Sequence, residues 1–439
     1  MRRKDLLSRI GLVTLAVATT LGIAVAAEAG TTREPVKLNA VVSNWTVPLY
    51  QEFLVKTYGA ENPNVTLNWQ GLPFRQVFES IEIQSGAKST DLDVIGVDVP
   101  LVASYGIRNY LHPLDSYFSK EEQAKWLPEA REAGTFQGKL LAPPGRTSTQ
   151  MLYYNKKLFA DAKVAPPPAD PAKRWTWDQV ADAAKQLTRD TDGDGKPDVW
   201  GIIFHQISRP YQMLALPQSA GGGDGISPDG LTVRGHLTNA GWIRAAKYYH
   251  DLFNAWKVAP KGVTPNETQD LFRSGRVAMI VTGDWGAALF KKTDFEWGVA
   301  PHPYFTGGKP VTPTGSWHWG VGAYSARKDE AAKLLRFITL DTRSLSFLFE
   351  HMTSLPAHQQ VVSYTPEKAA SLGLRKDWYE LVQYELKNTA RARPKTPGYL
   401  EWEDLLNTTF EDIRNGANPE EALRKAEVRI ESTLQKYRH

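Results

Sequence analysis

The stretch from Val36 to Asp98 alternates apolar strands with amphipathic helices, and no other feature of the chain narrows its fold as much. VKLNAVVSNW reads as a strand ending at Trp45, and PLYQEFLVKTYGAENP as a helix stopped by Asn62-Pro63. VTLNWQGL is a second strand and FRQVFESIEIQSG a helix ended by Gly86. LDVIGVD is a third strand, apolar enough to be buried. This βαβαβ order predicts a mostly parallel sheet with helices on both faces, an α/β architecture. Sheets of that kind bind ligands beyond the carboxyl ends of their strands, where Trp45 and Asp98 stand.

The alternation continues. KLLAPPGRTSTQMLYYNKKLF runs from a Pro-Pro-Gly turn into a strand and a short helix, and Thr176 and Gln179 have the spacing of a capping box that opens a helix. VWGIIF is a strand. WIRAAKYYHDLFNAW carries an apolar stripe at helical spacing. ETQDLFRSGRVAMIVTGDW passes from helix to buried strand and turns at Gly283-Asp284-Trp285. Pro419 starts a last helix. With 439 residues, there is chain enough for two domains, each with its own core.

The first 29 residues have a basic start (Arg2, Arg3, Lys4), an apolar run from about Ile10 to Ala27 and small residues behind it. They predict a secretory signal peptide, cleaved on export to the periplasm. No Cys occurs, so no lipid anchor is expected and stability has to come from core size rather than disulfides. The net charge of +4 shrinks when that basic leader is removed, leaving no footprint for nucleic acid. No later run approaches the roughly 18 apolar residues needed to span a bilayer.

DTDGDGKPDVWG, starting at Asp190, resembles a calcium loop. Asp190, Asp192 and Asp194 fall at positions one, three and five, Gly195 at the tight turn, the Lys196 carbonyl at seven and Asp198 at nine. Position twelve is Gly201 where a bidentate glutamate belongs, and a strand rather than a helix follows. A structural Ca²⁺ completed by water is the expectation, with a solvated turn as the alternative. No cofactor for catalysis is expected.

SNW after the first strand, LYYNKKLF, TWDQ, FRSGRVAM ahead of GDW, ARPKTPGY and NPEEAL occur in that order. Together they resemble the extracellular (periplasmic) solute-binding proteins, family 1, that serve carbohydrate ABC importers, and the resemblance covers nearly all of the chain after the leader. It implies a two-lobed, type II-like periplasmic-binding-protein fold with a ligand cleft between lobes. Residues 30–144 and 287–345 would form one lobe, 145–286 and 346–439 the other. Crossing segments are expected near Ala142–Ser148, Gly283–Ala287 and Leu340–Ser354. The implied partners are a carbohydrate and the inner-membrane permease, to which a monomeric receptor delivers by lobe closure.

A sugar offers C–H faces that stack on aromatic rings and hydroxyls that pair with polar side chains. The 14 Trp and 17 Tyr are more than core packing ordinarily uses, which suggests that some line a binding surface. The aromatic candidates are Trp45, Trp285, Trp317, Trp319 and Tyr399, with Tyr154 beside the crossover; the polar candidates are Asp98, Arg146, Asp284 and Arg391. Two rivals stand against sugar import. A secreted carbohydrate-active enzyme would need two opposed carboxylates, and the H-E-x-x-H, G-x-S-x-G and phosphate-loop motifs are absent. A binding protein for a polyamine or iron would need an acidic box or paired tyrosines.

Overall fold

The computed structural model describes residues 34–44, 47–207, 209–352 and 355–438. The expected leader and Trp45 therefore lie outside the described residues. The rest folds around two four-stranded sheets, each covered on both sides.

In the first sheet, β1 (Val36–Ser43) pairs in parallel with β2 (Val65–Leu72) along its whole length, Val36 opposite Val65 through Ser43 opposite Leu72. On its other side it meets β3 (Val94–Asp98), also in parallel. The side-chain alternation of a strand sorts the two faces. Leu38, Ala40 and Val42 share a core with Leu334, Leu335 and Ile338 of the helix Lys328–Leu340. Val41 shares the opposite core with Val77, Phe78 and Ile81 of the helix Phe74–Gly86. That is why β3 reads as unbroken apolar sequence, and every one of its residues is buried.

The hairpin β4 (Thr135–Phe136) and β5 (Lys139–Leu140) precedes the first crossing. The second sheet has the order β7-β8-β6-β9, from β6 (Gln150–Asn155), β7 (Trp200–Phe204), β8 (Val277–Gly283) and β9 (Trp297–Pro301). There β7 and β8 are parallel, and β6 runs antiparallel to both β8 and β9. After β10 (Thr312–Thr314), the chain returns as β11 (Trp317–Val321), antiparallel to β3, with Trp317 opposite Asp98. Three strands of each sheet thus run one way, and the strand that has crossed over runs the other.

β9 lies within 287–345, the range expected to return to the first lobe, yet it is an edge strand of the second sheet. The return comes only at β11. The helix Thr342–Met352 places Leu348 in one core and Leu345 and Phe349 in the other, with Phe349 edge-on to Tyr364 and Tyr379, so the boundary expected at 345 falls inside a helix that touches both. The crossing segments are tied by backbone bonds: Thr147 N donates to Leu355 O at 2.8 Å, Arg146 N to Trp317 O at 3.1 Å, and Asp284 N to Thr149 O at 3.0 Å. Among the described residues, no helix is long and apolar enough to cross a membrane.

Candidate functional site

Asp98 is the last residue of β3, at the carboxyl end of the first sheet, and it is buried. The second half of the molecule supplies its partners. Arg209 caps the short helix Pro210–Met213 and donates from Nη2 to Asp98 Oδ2 at 3.0 Å. Arg393, one residue past the end of β12 (Ala390–Ala392), donates from Nη1 to Asp98 Oδ2 at 3.2 Å and from Nη2 to Oδ1. Arg209 Nε also reaches Glu403 Oε1 at 3.1 Å. Tyr399 opens the helix Tyr399–Arg414 one turn before Glu403, and its hydroxyl donates to the same oxygen at 3.3 Å. Two carboxylates and two guanidiniums are therefore gathered with no net charge. Burial works against an ionised Asp98, but Arg393 and Arg209 outweigh it and hold the carboxyl below its usual range.

Aromatic rings frame this quartet. The Arg209 guanidinium lies 4.2 Å from the Phe74 ring centre and 5.6 Å from that of Tyr211, while Arg393 lies 4.6 Å from Tyr211. Trp317, part-exposed, stacks on Phe78 at 6.1 Å and meets Phe74 edge-on at 6.0 Å. Trp285, also part-exposed, follows β8 and stacks with Tyr211 at 6.2 Å. Its Nε1 lies 3.4 Å from His205 Nδ1, which is itself 2.8 Å from Thr282 Oγ1. The Trp285 ring folds back over Gly283, where a Cβ would stand 2.0 Å from it. Flat rings beside fixed polar groups form a surface that can stack on and hydrogen-bond a ring-shaped polyol.

Several expected residues are brought here: Asp98, Trp285, Trp317 and Tyr399. Asp284 and Arg146 sit deeper, in the crossing segments, and both are buried. Burial pushes the Asp284 carboxyl well up, and it pushes Arg146 down to about 9. Three expectations are corrected. Trp319 is core, packed against Trp69 at 5.5 Å and Tyr50 at 6.2 Å, because it lies two residues inside the strand rather than at its end. Tyr154 is also core, its ring against Phe159 and over Gly298. Arg391 lies within the β10–β12 ladder and pairs with Asp224 at 3.0 Å, on the surface. Arg209, Tyr211, Phe74, Arg393 and Glu403 were not anticipated. Arg393 had a signal, since it stands inside ARPKTPGY and just past a strand end; Arg209 and Tyr211 had none.

The acidic loop lies between the helix Trp177–Leu187 and β7, closed by Arg189 N donating to Val199 O at 2.9 Å. The carboxylates of Asp190, Asp192 and Asp194 are exposed and approach within 4.8 Å of one another. Asp190 accepts from Gly193 N at 2.7 Å and Gly195 N at 2.8 Å, and both glycines have positive φ. Asp198 does not join the three, and its Oδ2 accepts from Thr191 N at 2.7 Å.

A model of the bacterial extracellular solute-binding protein family matches residues 44–342. A binding protein of Brucella abortus (strain 2308) is 26% identical over 96% of this chain and 98% of its own length. The maltodextrin-binding protein of Bacillus subtilis (strain 168) is 25% identical over 82% of each. Among solved structures, an ABC substrate-binding protein from Listeria monocytogenes in complex with cycloalternan superposes with a TM-score of 0.76 at 24% identity, covering 91% of this chain and 99% of that one. With a family model matching well over half of its length and a two-lobed fold to go with it, this chain belongs to the bacterial extracellular solute-binding proteins.

Proposed function

We propose that this protein captures a sugar, with a neutral oligosaccharide as the favoured class, between its two halves and delivers it to an ABC permease. The observation that carries the reading is the quartet of Asp98, Arg209, Arg393 and Glu403, uncharged in sum and walled by Phe74, Tyr211, Trp285 and Trp317. A polyamine would want surplus carboxylate, and an anion surplus guanidinium. The carbohydrates named for the Bacillus subtilis and Listeria monocytogenes proteins support the same class by similarity. The protein is expected to act as a monomer in the periplasm and to leave the glycosidic bonds of its ligand intact. Titration with maltotriose, putrescine and ferric citrate, followed by Trp fluorescence, tests this. A saturable response to the sugar alone, with the sugar recovered whole by mass spectrometry, is expected. A response to putrescine or iron without one to sugars, or a shortened sugar, would sink the reading.

The acidic loop is proposed as a structural Ca²⁺ clip, supported by the convergence of Asp190, Asp192 and Asp194 with the Lys196 carbonyl next along. Asp192→Asn combined with Asp194→Asn should abolish a calcium-dependent rise in Tm while sugar affinity stays within about twofold, since the loop leads into the start of β7 and not out of its carboxyl end. A wild-type Tm indifferent to calcium and chelator would overturn it.

A further inference from the structure

The quartet crosses the seam between the halves, and its one member from the first half is Asp98. Arg209, Arg393 and Glu403 all come from the second. Arg393 presents its planar fork to both oxygens of the Asp98 carboxylate, and Arg209 adds a third donor. This is the geometry by which a protein grips the carboxylate of a ligand, except that the carboxylate is its own. Other ion pairs span the seam: Arg75 with Asp404, Arg108 with Glu401 at 3.7 Å, and Lys395 with Glu132 at 3.2 Å. All of these are substantially more exposed than the quartet and contribute little each. Asp98 and Arg393, at 4% and 2% side-chain exposure, are in a different regime, in which taking away one partner leaves the other charge buried and uncompensated.

Resting on the reading of this cleft as the solute site, we propose that Asp98 is a specificity-determining residue, an internal carboxylate that holds the halves together across the cleft and keeps acidic sugars out of it. A uronate entering the intact site would have to compete with a tethered carboxylate already seated on both guanidiniums. If it succeeded, it would leave Asp98 buried without a partner. A neutral sugar makes no such demand. Removing Asp98 gives the site one surplus positive charge, which an acidic sugar can neutralise.

Two readouts test this on the mature protein. Small-angle scattering without solute should give a larger radius of gyration for Asp98→Asn than for wild type. Arg393→Gln, which removes donors from the other side of the seam, should do the same. Trigalacturonate should bind Asp98→Ala roughly tenfold tighter or more than it binds wild type, a gain that weakens as salt rises. An unchanged radius in both seam variants, or an unchanged affinity for trigalacturonate, overturns the assignment. The scattering result needs no solute at all, so its failure is separable from a failure of the sugar reading, in which maltotriose would not bind wild type.

Discussion

A single missing carbon shapes one wall of the cleft. Gly283 does not have the positive φ that usually demands glycine; it is needed because the Trp285 ring lies where a Cβ would go, 2.0 Å from Cζ3 and 2.3 Å from Cη2. Gly283→Ala has to push that ring off Tyr211 and away from His205. Overpacking of this kind typically costs about 1–3 kcal/mol of stability. The ring stands at a part-exposed position, so the displacement should cost binding more than folding. The expected result is a Tm lowered by a few degrees, a shifted Trp emission and sugar affinity down roughly tenfold or more. Gly86→Ala is the control, because a Cβ there meets nothing within 4 Å. Isothermal titration of the two variants decides the matter, and equal affinities would show that Trp285 is not a ligand platform. The same sensitivity to position separates Arg391 from Arg393. Two residues apart, one is clamped to a surface aspartate inside a ladder, while the other has cleared the strand end and enters the seam.

Elements whose cause is local were legible in the sequence. The helix Phe74–Gly86 and β2 fall where period and punctuation place them, and Thr176 and Gln179 form the full capping box, with the Thr176 backbone N–H donating to Gln179 Oε1 at 2.8 Å. Strand ends were legible too, and with them Asp98 and Trp285. Contacts that arise only when distant segments meet were not. Arg174 and Glu385 form a buried bidentate pair, Nη1 to Oε1 at 2.6 Å and Nη2 to Oε2 at 3.1 Å, across 211 residues. Arg209 reaches Asp98 across 111 residues, and neither partner carries a pattern that announces the other. The aromatic surplus also said less than it promised. Trp126, Trp177, Trp242, Trp378 and Trp402 are among the largest fully buried side chains, so a good part of the Trp count serves the core. Trp317 and Trp319 do share one strand face, but only Trp317, the first residue of β11, stands at the strand's end. The boundary of the lobes was misread for a related reason. Nothing in TDFEWGVAP tells whether such an apolar strand completes one sheet or the other; pairing with β6 decides it.

The molecule as a whole should be labile to acid above the pH at which ordinary carboxylates titrate. His205, His302 and His318 are buried, and burial drives their pKa values from 6.5 down to about 4, about 3 and about 4 respectively. Two are in the second half and His318 is on β11 of the first, so both cores share the liability. Each ring stays neutral in the folded state while its unfolded counterpart takes up a proton near 6.5. Stability from these groups is complete above that pH and falls as pH drops from 6.5 towards 4, at roughly 1 kcal/mol per pH unit for each histidine. Asp284 acts in the opposite sense, because its raised carboxyl pKa makes the folded state gain stability as pH falls towards 3.8. It is one group against three, so the histidines prevail. Asp98, held below 3.8, adds its own loss only at the acid end of that window. The expected Tm is flat above pH 7 and drops steeply between pH 6.5 and 4. His302→Phe should flatten part of that slope, since the ring packs edge-on against Trp177 at 5.4 Å and its hydrogen bond to Pro303 O, at 2.9 Å, is neutral. Calorimetry of both proteins from pH 8 to 4 makes the comparison, and a wild-type Tm that holds level down to pH 4 would refute a neutral buried set. In acid, loss of the protein would then come from unfolding of its cores, while Asp98 at the seam, titrating lower, would still be charged.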